Sequence, residues 1–334
     1  MKLSYFLIKE NVEKNATQME RREVSLEQLR GECHPVKLNK KYLNLFLDIQ
    51  IEDKKPFNEN EEIKDISEIL NINLPILEEI ITDQRPRLEQ YLDFTFILFK
   101  SINLHEEKDF LKTEYQVGLK ILENIVICIH KNKPVSLEQL YRYFIRNERN
   151  LKKGGVTYLT ATYLDCLTDP IFSVLGNWRK LSKDLEKKIL KKPNKDLLNI
   201  MIDLRASIMD VDYILRADKE VINRMLALPS IFTKKFIPPE LDDHIVHCTD
   251  EAKILFDIIS DLMSIYYSSE SSILDKSLAR LTVITATFLL PSLIAGIFGM
   301  NNPGFPEINF YWVILIMLCF MALIFIYFKR KDMI

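Results

Sequence analysis

The sequence predicts an α+β fold, in which an N-terminal α/β domain precedes long helices and a C-terminal pair of membrane-spanning helices. Three observations carry this prediction. Short apolar runs rich in β-branched residues lie among helical patterns before residue 133. A single proline, Pro291, interrupts the stretch from Glu240 to Phe298. Two long segments without a charged residue, 281–306 and 308–328, lie near the C-terminus.

The α/β domain is predicted over 1–133. Strands are expected at about 45–51, 93–100 and 124–130, where apolar and β-branched residues cluster. Between the first two strands, the segment "ISEILNINLPILEEIIT" has the spacing of a helix.

The next region, 134–238, has a helical pattern. It is interrupted at Gly154–Gly155 and at Pro193, and Pro238–Pro239 suits the first turn of the following helix. The segment 239–300 is then predicted as one helix, about 90 Å long at 1.5 Å per residue. No single domain is that thick, so this helix is expected to be a stalk that leads to the membrane and packs on neighbouring copies.

The C-terminal segment predicts a helical hairpin that crosses the membrane twice. A membrane helix needs about 20 apolar residues, and spans at about 281–300 and at 308–328 meet this length. The linker 301–307 contains two prolines and one glycine, which indicates a tight external turn. Basic residues precede the first span and open the tail 329–334. Both termini are therefore expected in the cytoplasm, in a multi-pass protein of the cell (inner) membrane. A buried hairpin in a soluble core is the alternative.

One face of the first span carries small and polar residues at helical spacing. Hydroxyls and glycines dominate it, with one acid at its start: Asp275, Leu278, Thr282, Thr285, Leu289, Ser292, Gly296 and Gly299. Close packing between helices is one explanation. The other is a pore lined by symmetric copies of this helix, because polar atoms then face water instead of lipid. Asn301 would place a carboxamide oxygen at the outer mouth, where it accepts hydrogen bonds from a hydrated cation.

Composition and motifs exclude several classes of protein. The net charge of −2 over 334 residues argues against nucleic-acid binding. Five cysteines without paired spacing are expected to be free thiols. The chain contains no Walker A, G-x-S-x-G or H-E-x-x-H motif, so it is not expected to be an enzyme.

Charge is segregated along the helical part. Between Glu240 and Asp275 nine acids face one base, Lys253, whereas eight bases and two acids lie between Arg179 and Lys195. Solvated helix surface explains both runs. An acidic funnel that concentrates divalent cations beside a basic layer is the functional alternative.

Residues Gly299–Asn301 ("GMN"), preceded by "PSLIAGIF" and followed by Pro306–Glu307, resemble the CorA family of magnesium and cobalt transport proteins. The segments "LTVITATFLLPSLIAGIFGMN", "DDHIVHCTDEAKILFDIISDLMSIYYSS" and "LPILEEIITDQRPRLEQYLDFTFILFK" resemble its first membrane helix, its pore helix and its N-terminal domain. The resemblance covers about residue 60 to the end. It implies a homopentameric funnel with a cytoplasmic α/β/α domain, whose five first spans line a pore for Mg²⁺, Co²⁺ and Ni²⁺.

The same resemblance implies roles for individual residues. Gly299, Met300, Asn301 and Glu307 correspond to the pore mouth, and Leu278 and Leu289 to hydrophobic constrictions. Glu79 and Glu240 match acids that bridge neighbouring subunits through regulatory Mg²⁺, and Glu78 with Asp165 or Asp169 matches a second site. Both bridging acids are Glu here where the family has Asp, Asp275 stands where it has asparagine, and Phe298 replaces its tyrosine.

Two other functions are weighed against this one. His244, His247 and Cys248 place soft ligands at i, i+3 and i+4 of a helix, a spacing that suits Zn²⁺. A sister branch of the family moves zinc with protons, although it departs from the GMN motif that this chain keeps. A membrane-tethered sensor that does not conduct ions is the remaining alternative.

Overall fold

A computed structural model of the protein describes residues 2–11, 16–23, 44–51, 61–104, 110–131, 139–140, 142–144, 147–299 and 310–330. Its strands are β1 Lys2–Asn11, β2 Ala16–Glu23, β3 Asn44–Gln50, β4 Arg87–Gln90, β5 Thr95–Leu104, β6 Lys112–Ile121 and β7 Ile125–His130. Its main helices are α1 Glu61–Leu70, α2 Leu74–Ile81, α3 Glu148–Lys191, α4 Lys195–Leu226, α5 Glu240–Phe298 and α6 Phe310–Arg330. A 3₁₀ turn, Lys234–Phe236, precedes α5.

The seven strands form one mixed sheet in the order β2-β1-β3-β7-β6-β5-β4. The pairing between β3 and β7 is parallel, and the other neighbouring pairs are antiparallel. In the parallel pair, Asp48 lies opposite Cys128 and Gln50 lies opposite His130. Successive side chains of a strand point to opposite faces, so this register also sets which residues of β3 and β7 share a face.

One face of the sheet packs on α1 and α2. Leu47, Ile49, Ile127 and Ile129 form a buried apolar cluster with residues of these two helices, such as Ile66. Burial of this apolar surface on folding is the main stabilising term for the layer.

The opposite face packs on α3. Ser101 donates a hydrogen bond to the carbonyl of Leu167 at 2.6 Å, and the rings of Phe46 and Tyr163 meet edge to face at 5.3 Å. The N-terminal part is therefore a three-layer α/β/α arrangement, as the resemblance implies.

Two glycines have a structural requirement. A Cβ on Gly118 of β6 would lie 2.4 Å from the Cδ1 of Ile80, so glycine lets α2 approach the sheet. Gly155 has φ 53° inside the segment of α3, a conformation that favours glycine. The predicted interruptions at Gly154–Gly155 and Pro193 are confirmed, since α3 ends at Lys191 and α4 begins at Lys195.

The described residues fall into two compact units. One contains Met1–Leu185 and Asn199–Ser260, and the other contains Glu186–Leu198 and Asp261–Ile334. In the first unit the helices bury large side chains, among them Trp178, Leu215 and Ile245, each at most 2% exposed. In the second unit, α6 and the end of α5 bury few of their apolar side chains.

Sequence patterns located the central strands and the long helix. The predicted strands at 45–51, 93–100 and 124–130 are confirmed, and so is the helix that begins near Pro239 and ends at Phe298. The segment predicted as helical contains two helices, because Asn71 adopts φ 50° and ends α1. Strands β1, β2, β4 and β6 were not predicted, since β2 and β6 carry charges at many positions.

Candidate ion pathway and regulatory carboxylates

The polar stripe on the first span lies on one exposed side of α5. Its seven members from the helix are all solvent-exposed in the single chain: Asp275, Leu278, Thr282, Thr285, Leu289, Ser292 and Gly296. At 100° per residue, Val283 and Pro291 fall on the opposite side of the helix, and both are buried. The side that packs within the chain is thus separate from the stripe, which remains available for neighbouring copies or a pore.

The hydroxyls of the stripe are satisfied by their own helix. Thr282 Oγ1 donates to the carbonyl of Leu278 and Thr285 Oγ1 to that of Leu281, both at 2.9 Å. Such back-bonding uses the hydroxyl hydrogen and leaves oxygen lone pairs outward. Hydroxyl oxygens of this kind can accept hydrogen bonds from the water around a cation, and they carry no formal charge that would retain the ion.

The predicted pore mouth lies at the edge of the described structure. Gly299 is exposed and donates its N–H to the carbonyl of Ala295 at 2.9 Å, in the last turn after α5. Met300, Asn301 and Glu307 lie outside the described residues.

Two helices of the described chain are long and apolar enough to cross a membrane. The apolar windows of α5 and of Tyr311–Arg330 have mean hydropathy 2.1 and 2.6. Only 11% and 0% of these windows is buried. Exposed apolar surface of this extent is inconsistent with a buried hairpin in a soluble core, because such helices would be covered on most sides.

Glu79, predicted as a regulatory metal ligand, has a cationic partner. It is half-exposed at the end of α2 and forms an ion pair with Arg87 of β4. Arg87 Nε also donates to Glu89 at 2.8 Å, and the hydroxyl of Tyr91 donates to Glu89 at 2.7 Å. Partial burial disfavours the charge of Arg87, but the hydrogen bond to Glu89 and the charge of Glu79 together raise its pKa above the ordinary value. A cation at Glu79 must share this carboxylate with a guanidinium.

The end of α2 is held by one side chain of the sheet. Gln116 Nε2 donates to the carbonyls of Glu79 at 2.7 Å, Ile80 at 3.0 Å and Thr82 at 2.6 Å. These are carbonyls that a helix leaves without a partner at its C-terminus. Gln116 therefore fixes the position from which Glu78 and Glu79 extend. Glu78 is exposed.

The other predicted metal ligands lie where α3 meets the start of α5. His244 Nδ1 is 2.7 Å from Asp165 Oδ1, and the ring of His244 also contacts Phe172 edge to face. Burial raises the pKa of Asp165, His244 lowers it, and the negative charge of Glu240 raises it again. Burial and the charge of Asp165 raise the pKa of Asp169. The fold thus brings Asp165, Asp169 and Glu240 within electrostatic range of one another.

The zinc spacing at His244, His247 and Cys248 does not form a converging ligand set. Cys248 is fully buried in the helical core, whereas His247 is exposed and lies 5.5 Å from the ring of Phe172. His244 is instead engaged with Asp165. Helical spacing alone did not separate a buried cysteine from the surface histidines beside it.

The acidic and basic runs meet at one described ion pair. Arg179 of α3 binds Glu251 of α5 at 2.5 Å. This contact places Arg179, at the start of the basic run, beside one acid of α5.

Sequence analysis missed Arg87, Gln116 and the pairing of His244 with Asp165. A signal for Arg87 was present in "RLEQ", since Arg87 and Glu89 are two residues apart and share one face of a strand. Gln116 and His244 carry no comparable local signal, because their partners are 37 and 79 positions away.

Comparison with known proteins agrees with this geometry. The "Cobalt/magnesium transport protein CorA" of Thermotoga maritima is 27% identical over 282 residues, which cover 81% of this chain and 79% of that protein. The complete structure of the CorA magnesium transporter from Methanocaldococcus jannaschii matches with a TM-score of 0.79 at 20% identity and covers 100% of this chain and 99% of that one. The ZntB cytoplasmic domain from Vibrio parahaemolyticus RIMD 2210633 matches less well, with a TM-score of 0.57 at 8% identity over 81% of this chain and 98% of that one.

A family model extends the match over most of the molecule. The model described as "CorA-like Mg2+ transporter protein" matches residues 56–330, which include strands β4 to β7 and all the helices from α1 to α6. The chain belongs to the CorA-like Mg²⁺ transporter family.

Proposed function

We propose that this chain forms a homopentameric channel that moves Mg²⁺, and also Co²⁺ and Ni²⁺, across the cell (inner) membrane down the electrochemical gradient. The observation that carries the proposal is the exposed stripe on α5, from Asp275 to Gly296, on the side opposite the buried Val283 and Pro291. Close packing alone requires small residues, but not a run of hydroxyl oxygens beside leucines at the two predicted constrictions. A pore uses both.

The membrane potential is a sufficient driving force for this activity. Each elementary charge gains about 2.3 kcal/mol per 100 mV, so a divalent cation gains roughly 4.6 kcal/mol. Both termini are assigned to the cytoplasm, because Lys329 and Arg330 follow the second span and Lys276 and Arg280 precede the first. A negative interior therefore favours uptake.

The cytoplasmic carboxylates are assigned to regulation by internal Mg²⁺. Glu240 of one subunit and Glu79 of its neighbour are proposed to bind one ion, and Glu78 with Asp165 or Asp169 a second, weaker one. Mg²⁺ suits such sites, since it keeps several waters and takes one or two carboxylates. Loss of the ion would return net negative charge to the interface, and repulsion between subunits would open the pore.

Ion flux into liposomes tests the channel. Full-length protein is reconstituted, an inside-negative potential is imposed, and influx of Mg²⁺, Co²⁺, Ni²⁺ and Zn²⁺ is measured in parallel. We expect Mg²⁺ influx that follows the potential and is lost in Asn301→Ala. The adjacent Asn302→Ala is the matched control, because it removes an identical side chain outside the GMN motif and should leave flux intact.

Two outcomes contradict the proposal. Zinc flux that requires a proton gradient, with no Mg²⁺ flux, would support a proton-coupled zinc transporter. No flux of any ion through correctly assembled protein would support a non-conducting sensor.

A further inference from the structure

Three side chains with metal-binding atoms meet between the sheet and α3, away from the proposed pore and from the proposed regulatory carboxylates. Asp48 of β3 and Cys128 and His130 of β7 each offer one ligand atom, and these atoms all lie within 4.8 Å of one another. Within the described residues, no other group of three or more His, Cys, Asp or Glu converges in this way.

Strand register creates this cluster. Asp48 is the parallel partner of Cys128, and His130 is two residues further along β7, so all three point to one face. That face is the one covered by α3. The alternate residues Ile127 and Ile129 point to the other face, where they join the apolar core.

The cluster is deeply buried. Cys128 and His130 are 0% exposed and Asp48 is 7% exposed. A central position between a sheet and a helix normally takes aliphatic side chains, because polar groups lose their hydration there. Three ligand-type residues at adjacent positions of two central strands therefore require an explanation.

Hydrogen bonds within the protein satisfy only part of the cluster. His130 Nε2 is 2.9 Å from Asp48 Oδ1, and the Cys128 Sγ is 3.2 Å from the hydroxyl of Tyr163. His130 Nδ1 is buried and has no hydrogen-bond partner among the described residues. Native proteins rarely leave such an atom unmatched, and a bound ion is one of the recognised reasons.

We propose that Asp48, Cys128 and His130 bind one transition-metal ion of the zinc class between the sheet and α3. The Tyr163 hydroxyl would donate a hydrogen bond to the Cys128 thiolate. The donor set selects this ion over Mg²⁺, since thiolate and imidazole suit Zn²⁺ and Co²⁺ whereas Mg²⁺ prefers oxygen ligands. Metal–ligand bonds of 2.0–2.3 Å place ligand atoms about 3.3–3.8 Å apart. The observed cluster reaches this by shifts of about an ångström.

Binding exchanges a proton for the metal. The Cys128 thiol loses its proton to solvent as the sulfur bonds the ion, and the charges of thiolate and Asp48 carboxylate balance a divalent cation. The ligands are covered by α3, so the ion enters as this helix packs on the sheet. The site is thus structural: it ties β3 to β7 and is separate from transport.

Elemental analysis of the full-length protein is the first test. Cells are grown with added Zn²⁺ or Co²⁺, and the purified protein is washed with a chelator and excess Mg²⁺ to clear exchangeable sites. We expect about one zinc or cobalt per chain to be retained. Cys128→Ser and His130→Asn should reduce retention by at least the 10- to 100-fold that loss of a metal's outer partners typically costs.

Cys166→Ser is the matched control, because Cys166 is also buried but lies on α3 outside the cluster. It should retain the metal. Retention in Cys128→Ser, or no retained metal in the wild type, would overturn the proposal.

X-ray absorption of the cobalt-loaded wild type decides the question without any variant, and so covers the case in which Cys128→Ser fails to fold. One sulfur neighbour together with an imidazole supports the site. A shell of oxygen atoms alone refutes it.

Discussion

His244 Nδ1 lies 2.7 Å from Asp165 Oδ1, and this contact joins the start of α5 to the middle of α3. It places an imidazole beside one of the proposed regulatory carboxylates. Binding of Mg²⁺ at Asp165 therefore competes both with this histidine and with protons.

The first prediction is that inhibition by internal Mg²⁺ weakens as pH falls. Burial raises the pKa of Asp165 and of Asp169, so protonation removes the binding carboxylates at a higher pH than for ordinary aspartates. His244→Gln should move this loss to higher pH, because the histidine lowers the pKa of Asp165. The measurement is the ion flux as a function of the internal Mg²⁺ concentration, repeated at several pH values.

His247→Gln is the control for that series, since His247 is exposed and one turn away on the same helix. It should leave the pH dependence unchanged. An inhibition constant that does not vary with pH would count against the assignment of Asp165 and Asp169.

The second prediction concerns Arg87, which binds the Glu79 carboxylate. Arg87→Met removes the competing cation, so internal Mg²⁺ should inhibit flux at roughly fivefold lower concentration, equivalent to about 1 kcal/mol for a partly exposed ion pair. The concentration for half-inhibition in liposomes measures this. Arg216→Met is the control, because Arg216 pairs with Asp212 away from Glu79. Weaker inhibition in Arg87→Met would mean that Arg87 positions Glu79 instead of competing for it.

The third prediction concerns the proposed constriction at Leu289. Leu289→Asn replaces an apolar ring with a polar one, which water wets more readily. Flux at inhibitory Mg²⁺ should rise by about tenfold, equivalent to roughly 1.4 kcal/mol of barrier. Leu290→Asn introduces the same side chain off the stripe and should not raise flux. Equal effects of both variants would contradict the orientation of α5.

The fourth prediction concerns Asp218, a fully buried carboxyl that accepts the backbone N–H of Lys100 at 3.3 Å. Burial raises its pKa well above the usual value, although Lys100 opposes the shift. The folded state therefore holds a proton that the unfolded state releases. This stabilising contribution is present at low pH and is lost as pH rises towards the folded pKa, by up to about 1.4 kcal/mol per pH unit.

Asp218→Asn should remove that part of the pH dependence, because the amide is neutral at every pH and its oxygen still accepts from Lys100. Thermal unfolding of the detergent-solubilised protein measures it, over a pH series that begins near the ordinary Asp pKa of about 3.9 and extends to alkaline pH. Asp210→Asn is the control, since its side chain is 66% exposed. An unchanged slope in Asp218→Asn would show that Asp218 is ionised in the folded protein.

Much of the candidate pore was predictable because the pattern that identifies it lies within one continuous segment of the sequence. The stripe from Asp275 to Gly296 follows from 3.6-residue periodicity, and in the structure it lies on one exposed side of α5. Strands β3, β5 and β7 were predictable for a similar reason, since their apolar runs are continuous. Strands such as β2 and β6 were not, because charged residues interrupt their apolar pattern and pairing with the neighbouring strands, not local propensity, decides that they are strands.

The regulatory region was predictable in its residues but not in its contacts. Glu79 and Asp165 were identified through family resemblance, whereas their pairing with Arg87 and with His244 was not. A motif specifies which side chains are present, and packing decides which charges they face.

The amino-acid sequence by itself determined the two apolar C-terminal helices, the long helix and the small and polar stripe on α5, because helix period and hydropathy are properties of neighbouring residues. Tertiary structure alone decided the pairing of His244 with Asp165, the capping of α2 by Gln116 and the meeting of Asp48 with Cys128 and His130. Those contacts depend on strand register and on the packing of α3, which bring together residues far apart along the chain.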